Sequence, residues 1–441
     1  MIDYKDFHNF FAQTKYGKIL KKNIRWHFYK PEKFCRRRWI RTLGPDANNL
    51  DHALVMYKLV DDFIKSEKNI TLKKIEKNFL LLAAIIHDWA ESVYGDIVYD
   101  QKTKADTKKE HKKILEISTE ISKKYKNNIL KDDIIEANKV VNKKNKKLGS
   151  IFNLLEKIGY LETSLIAWQK INTEKKIEYN LKWLIHNAFI CQIEILLESK
   201  KKYSTISDFF KKNQKEINNI LENLTQDEEL KKYPQPKIKK AKKITEIKKI
   251  FQKHYPPKKI IAIIGMAGSG KSEAVKILEK KFKYPKIYFG QVVMNELKRK
   301  KLKINPQNER KTREALRKKY GMGVCAIKSL AEIEKKLENN NTIIIESLYS
   351  FEEYKIIKNK YQDNFKTITI YTSPEERFNR LKNRKFRPIT KKSDFDMRDY
   401  SEIENLQKGG PIAISNFTII NESNMKDLEK EMTKIIKNNF S

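Results

Sequence analysis

The segment IIAIIGMAGSGKSEAVKIL, residues 260–278, constrains this chain more than any other. A short apolar run rich in β-branched residues leads into Gly265-x-x-x-x-Gly270-Lys271-Ser272 and then into a helical pattern. Strand, glycine turn and helix in that order let backbone N–H groups curl around phosphate oxygens, and the helix N-terminus adds partial positive charge. Gly265, Gly268 and Gly270 permit the curl. Lys271 is expected to reach the β- and γ-phosphates, and Ser272 to ligate the magnesium of Mg-ATP. The runs NTIIIESL and FKTITIYT repeat the β-rich pattern with helical stretches between, which predicts an α/β domain with a parallel sheet over residues 258–441.

The region before it has a different character. From residue 1 to about 225, segments such as LDHALVMYKLVDDFI and NLLEKIGYLETSLIAW carry apolar residues at three- and four-residue spacing, which predicts an all-α domain. Between the two, residues 226–257 are Lys-rich and contain Pro234, Pro236, Pro256 and Pro257, which reads as a linker carrying one short helix. The chain is thus expected to be multidomain, with 441 residues enough for two separate cores. No apolar run reaches the length of a membrane span, and the N-terminus lacks an export pattern, so the expected location is the cytoplasm. Cys35, Cys191 and Cys325 show no zinc-binding spacing.

The formal net charge of +38 resembles a nucleic-acid signal, but its make-up argues for coding bias. Only 14 of the 94 basic residues are arginine, and lysine is accompanied by abundant Asn and Ile, as an AT-rich coding sequence produces. Nucleic acid is therefore not the favoured partner. The scarce arginines then become informative, because they are expected where a planar, bidentate guanidinium is needed, as on phosphate. They cluster at 25–41 and at 299–398, one stretch in each half of the chain.

Within the helical half, residues 79–95 (FLLLAAIIHDWAESVYG) read as one buried helix that places His87, Asp88 and Glu91 together, with Gly95 ending it and Asp96 just beyond. A His–Asp pair after an apolar run is costly to bury unless it binds something. Imidazole and carboxylate together suit a divalent transition metal such as Mn or Co, and His52 on an earlier helix can add a ligand. HDWAESVYGD fits the HD-x-x-E-x-x-x-G-D pattern, and this half resembles the HD-domain metal phosphohydrolases, within them the bacterial 5′-deoxynucleotidase branch. The resemblance implies metal ligation by His52, His87 and Asp88, and roles for Glu91 and Asp96 on the attacking water and the leaving group. It also implies nucleotide binding by an Arg–Trp pair, taken as Arg38 and Trp39, and a homodimer formed through this domain. The distal metal ligand of that superfamily is normally Asp; here the best-placed carboxylate is Glu156.

The second half resembles nucleoside-monophosphate and dephospho-CoA kinases, most nearly a small archaeal group of kinase-like P-loop proteins. The resemblance rests on the P-loop, on IIIESLYS with Glu346, on PEERFNRLKNRKFRP and on FDMRDYSEIENLQKGGPIAISNFTIIN. It implies a lid whose arginines, Arg377, Arg380, Arg384 and Arg387, neutralise the phosphoryl group in transfer, with Arg384 and Lys271 catalytic. Gly290, Gln291 and Asn295 stand where such kinases tend to carry Asp and Arg, and Arg310, Arg313 and Arg317 are candidates to take over acceptor binding.

These readings converge on a bifunctional nucleotide enzyme, a metal-dependent 5′-(deoxy)nucleotidase joined to an ATP-dependent kinase for a nucleotide or similar small acceptor. The alternatives are a phosphatase–kinase acting on nucleic-acid ends, and a hydrolase governed by an ATP-sensing P-loop domain.

Overall fold

The computed structural model describes residues 3–30, 36–95, 103–125, 129–142, 146–232, 242–385 and 387–440. The chain forms two compact units, Met1–Pro256 and Pro257–Ser441.

Among the described residues of the first unit, the regular elements are helices. The Asn48 side chain caps the helix Asn49–Ser66 by accepting from the Asp51 N–H at 2.9 Å, which sets His52 in the first turn. The helix Lys74–Ile86 buries Leu80 and the run Leu82–Ile86. Residues 79–95 do not continue as one helix. The α-helix ends at Ile86, and N–H groups of Trp89 and Glu91 reach back three residues, to Ile86 and Asp88, before a short helix Glu91–Tyr94. This tightened turn carries His87 and Asp88, and Gly95 closes it at φ 76°. The long helices Lys147–Lys170 and Glu178–Ser199 pack together and complete the core around Trp39, Trp89, Phe152 and Phe189.

The segment read as a linker is partly core. The helix Ile244–His254 packs against Glu178–Ser199 and Ser204–Gln226. Ile247 and Phe251 are fully buried, and Phe251 lies 5.6 Å from Phe210 and 5.3 Å from Tyr255, ring to ring. Asn218 Nδ2 donates to the Tyr255 carbonyl at 2.9 Å. A fragment ending at residue 225 would expose this groove. Burial of Ile247 and Phe251 alone contributes roughly 3–6 kcal/mol. The fragment 1–225 is therefore expected to melt roughly 10 °C or more below the fragment 1–256. Equal melting temperatures for the two would show that the helix contributes nothing.

The second unit is a five-stranded parallel sheet in the order β2-β3-β1-β4-β5, with β1 Lys259–Ile264, β2 Lys286–Tyr288, β3 Thr342–Glu346, β4 Phe365–Tyr371 and β5 Phe417–Ile420. Ile260, Ala262 and Ile264 face one core with Val293 and Ile333; Ile261 and Ile263 face the other with Leu278 and Met432. A strand buried on both faces is the reason β1 reads as a continuous apolar run. Because β3 and β4 flank β1 on opposite sides, the loop after β1 opens at the switch in strand order, where ligands of open α/β sheets bind.

Candidate functional sites

In the helical unit, three donor atoms of His52, His87 and Asp88 lie within 4.8 Å of one another. His52 is 4 % exposed, and the two imidazole rings are 5.1 Å apart. His87 Nδ1 lies 2.9 Å from the Ala84 carbonyl, which can only accept, so Nδ1 carries the proton. Its Nε2 is left bare, 3.2 Å from Asp88 Oδ1, and burial pushes the His87 pKa down and favours the neutral ring. His52 is held in the same way from the other side. Its Nδ1 bonds to Asp46 Oδ1, and its Nε2 faces Asp88 Oδ2 at 4.0 Å. Burial would raise the Asp46 carboxyl, but the charge of Arg25, with the hydrogen bonds from His52 and Thr163, outweighs it and holds that carboxyl below the usual range. Two bare imidazole nitrogens and a carboxylate converging on one point fit a first-row divalent ion, with Asp46 and the Ala84 carbonyl fixing the ligands from behind.

Asp46 is a hub with no motif around it to single it out. Its Oδ2 also accepts from Trp26 Nε1 at 3.0 Å and from Thr163 Oγ1 at 2.6 Å. An isolated antiparallel bridge between Ile24 and Asn48 lays residues 24–26 alongside it. That bridge brings a different Arg–Trp pair to the cluster from the one expected, Arg38 and Trp39. Arg25, with its Nη1 3.1 Å from Asp88 Oδ2, and Trp26 stand at the cluster. Trp39 is instead buried in the core and donates to the Arg25 carbonyl at 3.2 Å, and Arg38 lies 3.6 Å from Glu174. Trp26 adopts the left-handed conformation at φ 61°, a strain of about 1–3 kcal/mol for a bulky residue. Its ring meets Tyr160 edge-on at 5.4 Å.

Glu91 is buried, and its carboxylate accepts from the Asn49 amide. Asp96 lies outside the described residues. Glu156, on the helix Lys147–Lys170, is close enough for its charge to act on His87 but is not part of the three-donor group.

In the second unit, Gly265 and Gly270 have φ of 142° and 98°, and a Cβ on either would lie 2.3 Å from Ile370 O or Asn421 Nδ2. The loop is thus closed to any other residue at these two places. Gly268 has φ 83°. Lys271 Nζ donates to the Met266 carbonyl at 2.6 Å, and burial, reinforced by Lys408, drives its pKa well below the usual lysine range. Ser272 Oγ lies 3.4 Å from Glu346 Oε1, so the acid ending β3 meets the hydroxyl expected on magnesium.

The lid arginines are largely committed to protein partners. Arg377 is 4 % exposed; it donates to the Ala267 and Thr372 carbonyls at 3.2 Å each and takes Asp399 with both nitrogens, at 2.8 and 2.5 Å. It therefore braces the loop from behind. Arg380 holds Glu376 at 2.8 Å and the Asn421 carbonyl at 2.9 Å, and Arg387 holds Glu309 at 3.0 Å. Arg384 is exposed. Of the acceptor candidates, Arg310 is exposed and paired with Glu314, whereas burial lowers the pKa of Arg317.

A UPF0200 protein of Methanococcus maripaludis strain C7 is 33% identical over 181 residues, which is 41% of this chain and 97% of that protein. The chain belongs to the UPF0200 family. A UPF0200 protein of Thermococcus kodakarensis is 28% identical over 180 residues, 40% of this chain and 96% of its own. Two family models match this UPF0200 member in addition, an HD domain over residues 32–147 and an AAA domain over residues 261–404. Solved structures similar to it include shikimate kinase from Aquifex aeolicus, 21% identical with a TM-score of 0.28 over 41% of this chain and 97% of that one. TT1252 from Thermus thermophilus is 15% identical with a TM-score of 0.31 over 42% of this chain and 100% of that one. This UPF0200 chain therefore carries an HD phosphohydrolase-like domain and a P-loop kinase-like domain. Among the described residues, no helix is long and apolar enough to cross a membrane.

Proposed function

We propose that this protein is a bifunctional nucleotide enzyme. Its helical unit removes phosphate from (deoxy)nucleoside 5′-monophosphates with the aid of a divalent transition metal. Its P-loop unit passes a phosphoryl group from Mg-ATP to a nucleotide or similar small acceptor. The observation that carries the hydrolase reading is the convergence of two bare Nε2 atoms and Asp88, each imidazole locked from behind by an acceptor at Nδ1.

His52, His87 and Asp88 would hold the ion. A divalent ion there supplies Lewis acidity towards the phosphoryl oxygen and a more acidic bound water. Glu91, held by Asn49, takes the proton of the attacking water, and Asp96 serves the leaving 5′ oxygen. Arg25 meets the phosphate and Trp26 the nucleoside, in place of Arg38 and Trp39. Support for this assignment is the contact of Arg25 with Asp88 and of Trp26 with Asp46.

The test is phosphate release from nucleoside 5′-monophosphates, simple phosphomonoesters and short 5′- or 3′-phosphorylated oligonucleotides, with added manganese or cobalt and after chelation. Mononucleotides are expected to be the best substrates. Arg25→Met should raise KM for them by about tenfold or more, as loss of a charged hydrogen bond implies, while Arg38→Met stays near the parent. Preference for oligonucleotides would replace this reading with nucleic-acid end processing. An unchanged KM in Arg25→Met would return the role to Arg38.

A further inference from the structure

Beside the P-loop, the carboxylates of Glu402 and Asp399 are divided among Lys408, Arg398 and Arg377. Lys408, in the turn between the helix Lys392–Glu404 and the short helix Gly409–Ala413, is 1 % exposed. Its ammonium lies 2.6 Å from Glu402 Oε2 and 4.7 Å from the centre of the Tyr349 ring. Glu402 is shared with Arg398 at 3.3 Å, and Asp399 is taken by Arg377. Lys271 is the fourth cation and rests on a backbone carbonyl. After burial itself, Lys408 is the charge that most strongly disfavours protonation of Lys271. Buried like charges of this kind repel one another, and a polyanion bound among them removes the repulsion.

Contacts link Lys408 to the P-loop: the Tyr349 hydroxyl is 3.0 Å from Ser347 Oγ, next to Glu346. Tyr349, beneath it, follows by three residues the Glu346 that meets Ser272. Ile412, four residues beyond Lys408, lines a small cavity together with Gly265, Met266 and Arg377. Arg377, Arg380 and Arg387, which a kinase lid would use here, are held by Asp399, Glu376 and Glu309.

We propose that Lys408 is a second phosphate-binding cation of the P-loop unit, which meets the terminal phosphate of bound nucleoside triphosphate and is held ready for it by Glu402. The inference rests on the ATP-binding reading of the P-loop and adds a residue that separates triphosphate from diphosphate.

The ion pair can be broken from either end, and the two ends give opposite expectations. In the full-length protein, affinities for Mg-ATP and Mg-ADP are measured by calorimetry, with thermal melts in the absence of nucleotide. Lys408→Met is expected to weaken ATP binding on the order of tenfold or more while changing ADP binding about threefold or less. Glu402→Gln frees the ammonium from a competing anion and is expected to strengthen ATP relative to ADP. An ATP-to-ADP preference in Lys408→Met equal to that of the parent overturns the proposal. The same preference in parent and Glu402→Gln also overturns it, which decides the matter if Lys408→Met does not fold. A parent that binds neither nucleotide removes the P-loop reading itself, and this proposal with it.

Discussion

Asp88→Asn is expected to lower metal-dependent phosphate release by about 10³-fold or more, with the loss of most bound metal. The Lewis acidity of an active-site ion supplies several kcal/mol of transition-state stabilisation, and each 1.36 kcal/mol, roughly, is tenfold in rate. Asn keeps the size of the side chain but removes the charge that His52 Nε2 and His87 Nε2 both face. It also removes one of the carboxylates that Arg25 meets. The fold should survive, because Asp88 sits in a turn after the helix Lys74–Ile86 and the core beneath is built by Leu82–Ile86. The measurements are phosphate release, bound metal by elemental analysis, and circular dichroism to check helicity. Full activity in a metal-free Asp88→Asn protein would eliminate the HD site as the source of the reaction.

The second large effect belongs to Lys271. Lys271→Ala is expected to abolish measurable ATP binding, since it removes the cation that the loop presents to the β- and γ-phosphates. Phosphatase activity is expected to be unchanged in the same variant, because His52, His87 and Asp88 carry that chemistry. The pKa of Lys271 supplies a finer readout. Burial lowers it in the free protein, so part of the Lys271 population is neutral at a pH above that lowered value. Bound phosphates favour the charged form and raise the pKa again. ATP binding should therefore take up protons over the window between the two values, seen as a dependence of the calorimetric heat on buffer ionisation. That uptake should vanish once the pH falls below the free value, where the ammonium is already charged. A phosphatase rate that changes several-fold with a non-hydrolysable ATP analogue, and loses that response in Lys271→Ala, would favour the ATP-sensing alternative.

The chemistry of local segments is legible in their own residues. Strand, glycine loop and helix at 260–278 set the phosphate cradle and the parallel sheet, because conformational freedom at Gly265 and Gly270 and burial of β1 on both faces are written into neighbouring residues. His87 and Asp88 were legible for the same reason: an ionisable pair directly after an apolar run has few cheap explanations. Whatever depended on distant segments meeting was decided by tertiary structure. Asp46 carries no sequence signal, since its role comes from Thr163, 117 residues away, and from the single bridge of Ile24 to Asn48. That bridge also brings Arg25 and Trp26, a pair with no signal of their own in the sequence, to the cluster where Arg38 and Trp39 are expected. Scarcity of arginine marked residues that need a planar fork, but a fork serves a carboxylate as well as a phosphate. Arg377 went to Asp399 and Arg387 to Glu309. The helix Ile244–His254 is expected from its sequence only as a short helix within a linker, and packing of Phe251 and Tyr255 on Phe210 makes that part of the linker into core. Periodicity says that a face is apolar; which surface buries it is fixed by packing between elements far apart in the chain.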